Sequence, residues 1–151
     1  MRALIMRDKE LRVGEFPTCT PGQGEVLIKV NACGICGSDI HALKHGEEFV
    51  RQSKQGGALG LDMDTRRDVV MGHEFCGEIL EYGNDCARNI SLGTNVCSIP
   101  ALLRNNAIQT LGYSNEHPGG YAEYMCLTES FLESVRKGFS PTLAALTEPI
   151  A

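Results

Sequence analysis

A chain of 151 residues is long enough for one domain with a real core. Its 42% apolar and 22% charged content is ordinary for a soluble globular protein, and a net charge of −5 argues against nucleic acid, which favours a basic face. No apolar run approaches the roughly 20 residues of a membrane span, and "MRALIMRDKE" is charged too soon for a signal peptide. A cytoplasmic location is therefore expected, with the odd count of seven cysteines read as reduced thiols rather than a disulfide framework.

Seventeen glycines predict many turns, and so a β-rich chain. "MRALIMR" and "LRVGEF" read as strands joined by the turn Asp8-Lys9-Glu10, followed by the connector "PTCTPGQG". "EVLIKVNAC" alternates, with Val26, Ile28, Val30 and Ala32 on one face and Lys29 and Asn31 on the other. Gly34 to Gly37 form a tight turn, and Ser38 or Asp39 caps a short helix through about His45. Residues 46–68 are polar and read as a long surface loop, with room for a short helix near Glu47 to Lys54.

"VVMGHEFCGEILEYG" reads as one strand, entered through Gly72 and left through Gly83-Asn84, and "TNVCSI" as the next. "LLRNNAIQTLGYSNEHPGG" reads as an irregular connector in which Glu116 and His117 are solvated. "GYAEYMCL" and "FLESV" return to strand. "SPTLAALTEPIA" closes with a helix, capped by Ser140, opened by Pro141 and stopped at Pro149. Val26, Ile28, Val30, Ile79 and Val96 are expected in the core, with Cys36 and His73 at its rim.

Chemistry concentrates in "NACGICGSDIHALKHG", which places two cysteines, a serine, an aspartate and a histidine close together. From those residues alone a redox pair, a structural zinc knuckle and a catalytic zinc ligand all remain open. "GHEF" narrows the choice. Cys36, His73 and Glu74, from two separate elements, make up the three-ligand set of a catalytic zinc. Each alone has a plainer reading, as a small buried thiol, a satisfied polar ring and a solvated carboxylate.

Taken together, "GEVLIKVNACGICGSDIHA", "VVMGHEFCGEI", "GGYAEYM" and "ALTEPIA" resemble the zinc-dependent medium-chain dehydrogenases, in their N-terminal catalytic domain. The likeness spans residues 1–151, apart from 46–68 and 100–118. It implies a mainly β fold, the GroES-like partly open β-barrel with a few short helices. It also implies roles: Cys36 and His73 as zinc ligands, Glu74 as a carboxylate on or beside the metal, and Glu148 at the remaining ligand position. Ser38 would bond the substrate oxygen, His41 would be the distal member of a proton path, and Asp39 would orient the ligand histidine. A plain helix N-cap is the other reading of Asp39, and the two are compatible. Cys33 becomes a bystander, since a dithiol pair normally opens a helix in a βαβ setting.

Two departures from the family matter. Relatives often carry four closely spaced cysteines after the "VCS" strand, and "ALLRNNAIQTLGYSNEHPGG" has none, so one zinc and no structural zinc is expected. Gly-x-Gly-x-x-Gly between a strand and a helix is also missing, "GGALG" having neither that spacing nor that context. The Rossmann domain is therefore expected to be absent, and these residues alone to be inactive. The complete enzyme would oxidise a small-molecule alcohol or polyol with NAD(P), and the resemblance allows a homo-oligomer. The alternatives are a non-catalytic GroES-like binding module and a zinc-free reductase relative.

Overall fold

The computed structural model describes all 151 residues. Strands hold 36% and helices 20% of the chain, so the protein is mainly β as expected. β1 (Arg2–Arg7) and β2 (Glu10–Glu15) form a hairpin in which Arg7 pairs with Glu10. The two residues between them, Asp8 and Lys9, both have positive φ, 49° and 67°. That is the two-residue turn whose twist matches the flanking strands.

β3 (Glu25–Cys33), β5 (Phe75–Tyr82), β6 (Asn95–Ser98), β9 (Tyr124–Thr128) and β10 (Leu132–Ser134) build an antiparallel sheet in the order β10-β6-β5-β3-β9. β4 (Val69–Val70) pairs with β1 to complete a second sheet, β2-β1-β4. The sheets do not close on one another, which leaves the barrel partly open. Val26, Ile28, Ile79 and Val96 are buried in the main core, with Leu102, Leu111, Met125 and Leu127. Val30 is only half-buried, because the β3–β5 register slips between Val30 and Ala32 and turns it partly out of line. A second cluster, including Met6, Ala42, Met63, Val69, Met71 and Tyr113, lies beneath the first part of helix α1 (Gly37–Gln55).

Four expectations are corrected. The helix does not stop at His45 but runs to Gln55, with His45 itself out of helical conformation (φ −131°, ψ 32°). Its second half is polar and leaves little apolar pattern; Glu48 bonds Arg51 and Gln52 along its surface. The single strand through "GHEF" is two strands, broken at Met71 to Glu74. The irregular connector contains a hairpin, β7 (Ala101–Arg104) and β8 (Ala107–Thr110), turned at Asn105 and Asn106 with φ of 53° and 60°. Asparagine tolerates that left-handed conformation. The last helix is two short ones, α2 (Pro141–Ala144) and α3 (Thr147–Ile150). Pro149 lies inside α3, in a first turn where the missing N–H has no partner to lose.

The β7–β8 hairpin is anchored by one buried charge. Glu25, 1% exposed at the start of β3, accepts bonds from Arg104 Nε and Nη2 and from the Gly22 N–H. Burial pushes the Glu25 carboxyl up, but the Arg104 bonds, the Gly22 N–H and the guanidinium charge outweigh it and hold it below its ordinary 4.5. Arg104→Ala strands that carboxylate and is expected to cost about 3 kcal/mol at neutral pH. A group with a depressed folded pKa stabilises above its unfolded pKa and loses that contribution as pH falls through the folded value. The gap between wild type and Arg104→Ala in urea melts should therefore be full at pH 7 and close below pH 4.5.

Candidate metal centre

The site is built where β3 ends, α1 begins and the β4–β5 chain breaks. Gly72 makes the break possible. Its φ is +94°, and a Cβ there would lie 2.7 Å from the Tyr121 ring and 2.9 Å from the Cys33 sulfur. Around it the backbone bonds sideways. The Gly119 N–H donates to the Val70 carbonyl, Gly120 to Gly72 and Tyr121 to Met71, at 2.7–3.0 Å. His73 and Glu74, each 6% exposed, are thereby turned toward the start of α1. Gly34 receives them: its N–H donates to the Glu74 carbonyl at 2.7 Å, and any Cβ on it would collide with the Glu74 carboxylate.

Cys36, His73 and Glu74 each bring one ligand atom to this place, all within 4.8 Å of one another. A thiol, an imidazole and a carboxylate suit zinc. Two are buried and one half-buried, so an ion could be reached from one side. Donors that share a tetrahedral zinc lie about 3.3–3.8 Å apart, given bonds of 2.0–2.3 Å. The set fits a metal after only a small contraction.

Asp39 supports this set. It is 2% exposed, the third residue of α1 and not its N-cap, a position held by Cys36. Its Oδ2 accepts from the Cys36 N–H at 3.1 Å and the Tyr121 hydroxyl at 2.8 Å, and its Oδ1 lies 3.1 Å from the Tyr113 hydroxyl. The same Oδ1 stands 3.4 Å from His73 Nδ1, close enough to attract it but not aligned as a hydrogen bond. With Nδ1 facing Asp39, Nε2 is the nitrogen left for an ion. Burial pulls His73 down, but Asp39 and then Cys36 outweigh it and hold the ring at about 9. Burial also pushes Asp39 up, and the close approach of His73 with its charge, the Tyr121 hydroxyl and the Cys36 N–H reverse that and hold its carboxyl below its ordinary range.

Ser38 sits at the same place, its Oγ 3.4 Å from His73 Nε2 and 3.0 Å from the Tyr113 hydroxyl. His41 is exposed and is not bonded to Ser38; its ring packs against His45 and Phe49. Glu148 lies on α3, half-exposed and outside the cluster of three. Burial, then the charges of Asp39 and Glu74, push the half-buried Cys33 thiol up to about 12, a poor nucleophile and no partner of Cys36. His117 is half-buried rather than solvated, while Glu116 is exposed and pairs with Arg67. Tyr113 and Tyr121 were not singled out in the sequence. Tyr121 stands in "GGYAEYM", but nothing in its spacing points to a carboxylate 82 residues away.

Residues 22–137 match the alcohol dehydrogenase GroES-like domain. The chain is 29% identical to L-galactonate-5-dehydrogenase of Escherichia coli, covering 99% of this chain and 40% of that protein. It is 32% identical to (R,R)-butanediol dehydrogenase of Bacillus subtilis, covering 95% and 42%. Among solved structures it is similar to acetophenone reductase from Geotrichum candidum in complex with NAD, with a TM-score of 0.74, 25% identity and coverage of 97% and 43%. The chain thus spans well under half the length of these relatives.

Asp39→Leu leaves two tyrosine hydroxyls and one N–H without their buried acceptor. A loss of about 3 kcal/mol or more is expected in urea unfolding, against about 1 kcal/mol for Tyr121→Phe.

Proposed function

The chain belongs to the alcohol dehydrogenase GroES-like domain family, and from that premise we propose that it is the metal-binding catalytic domain of a zinc-dependent alcohol or polyol dehydrogenase. The observation that carries the reading is the convergence of Cys36, His73 and Glu74 within 4.8 Å, with Ser38 beside His73. A non-catalytic binding module has no use for three converging donors over a buried, bonded aspartate.

In this reading Cys36, His73 and Glu74 hold zinc, with Glu148 proposed as a fourth carboxylate that would have to approach from α3. Zinc, when bound there, supplies a Lewis acid that makes a substrate hydroxyl more acidic. The protein's own residues then handle the proton and the geometry. Asp39 fixes His73 by its charge and holds the start of α1, so that Cys36 and Ser38 keep their places. Ser38 would bond the substrate hydroxyl and accept its proton while giving up its own, which would leave for solvent by way of His41, one turn along α1, once that ring swings within reach. NAD or NADP, bound by the complete enzyme, would supply the hydride acceptor that the oxidation of an alcohol to a carbonyl requires. The nicotinamide pocket would come from parts of the complete enzyme that these 151 residues do not match in their relatives, and these residues alone are proposed to be inactive. A cytoplasmic enzyme acting on a small hydroxylated molecule, without nucleic acid or membrane, completes the proposal. No helix is long and apolar enough to cross a membrane.

Elemental analysis of dialysed protein should find one retained zinc per chain. Cys36→Ser should abolish it, and Gly72→Ala should lower it by displacing Tyr121. Full zinc in Cys36→Ser would refute the assignment. Assays of alcohol oxidation with NAD and with NADP should show no turnover by the 151 residues, and measurable turnover would refute that part of the reading.

A further inference from the structure

His41 and His45 stand one turn apart on α1, both exposed, and the proposed function gives His45 no task. Their ring centroids are 5.1 Å apart with the planes tilted by 45°. Two imidazoles that share one ion have centroids about 4.5–5.2 Å apart, because each metal–nitrogen bond is about 2.0–2.1 Å and the angle between them runs from square to tetrahedral. The chain is irregular at His45 (φ −131°, ψ 32°), so it is the observed closeness of the two rings, not regular helix spacing, that lets them reach the same metal. Phe49 packs edge-on against His41, centroids 5.9 Å apart, and is itself held 5.0 Å from Tyr113, so the His41 ring has a wall behind it. His45, but not His41, also lines an open cavity of about 550 Å³, together with Glu47, Glu48, Lys9, Arg51 and Arg66, so water reaches the His45 ring from that side. Glu48 is already engaged by Arg51 and Gln52 and contributes charge rather than a ligand.

We propose that His41 and His45 form a second, labile site for a borderline divalent cation such as nickel, copper or zinc, separate from Cys36, His73 and Glu74. Two imidazoles with no thiolate suit such ions and not calcium or magnesium. With only two protein ligands the ion exchanges freely and is lost on dialysis, unlike the zinc proposed above. One consequence rests on the proposed function: an ion on His41 occupies the lone pair that would carry the proton outward, and so slows that step.

The test is a titration of the 151-residue chain, loaded with one equivalent of zinc, with Ni²⁺. Calorimetry gives the stoichiometry, and NMR follows the imidazole signals of the four histidines. One further equivalent should bind, with His41 and His45 broadening together while His117 stays sharp. His45→Gln and His41→Gln, both at exposed positions that leave the fold intact, should each weaken Ni²⁺ binding about tenfold or more, and Cys36→Ser should leave it unchanged. Wild-type Ni²⁺ affinity in His45→Gln, or Ni²⁺ uptake that disappears in Cys36→Ser, overturns the proposal. Ni²⁺ uptake that depends on His45 in a chain that retains no zinc supports this site and counts against the proposed function instead.

Discussion

The structure around the site depends on one buried carboxylate. Asp39 accepts from the Cys36 N–H and the Tyr121 hydroxyl, lies beside the Tyr113 hydroxyl and faces the His73 ring. A charge this deep is tolerated only when its lone pairs are filled. Here they are filled from three separate parts of the chain, the start of α1, the segment after β8 and the entry to β9, while the break between β4 and β5 brings the His73 ring to face the same carboxylate. Asp39 thus sets the relative positions of those segments without any metal.

The backbone makes the same junction from below. Val70, Met71 and Gly72 give their carbonyls to the N–H groups of Gly119, Gly120 and Tyr121. β4 would otherwise run on into β5. The left-handed Gly72 turns the chain instead, and that turn puts His73 and Glu74 under the first turn of α1. Glycine is needed here both for the conformation and for space, since Tyr121 and Cys33 fill the room a side chain would take.

Much of this was legible in the sequence, for local reasons. β3 declares itself by alternation, and the three donors by residue type and order. The features that were missed have local signals that are weak or misleading. The second half of α1 is polar, and the irregular His45 interrupts the helical pattern between the two halves. Asn105-Asn106 between two apolar runs is a hairpin signal, but the runs are only four residues each and lie in a stretch otherwise rich in polar residues. The break at Gly72 and the roles of Tyr113 and Tyr121 are fixed by partners far along the chain, 74 and 82 residues away for the two tyrosines. A single sequence gives no sign of such pairings.

The Tyr113 hydroxyl has one proton and two neighbours, Asp39 at 3.1 Å and Ser38 at 3.0 Å. An ionised carboxylate can only accept, so the Tyr113 proton is committed to Asp39. The phenol oxygen then has lone pairs alone to offer Ser38, and Ser38 must supply the hydrogen of that bond. With its own hydrogen directed inward, Ser38 presents lone pairs to whatever lies above it. The buried aspartate thereby gives the whole chain of hydroxyls one polarity, in which Ser38 accepts a hydrogen bond from above and directs its own hydrogen inward to Tyr113.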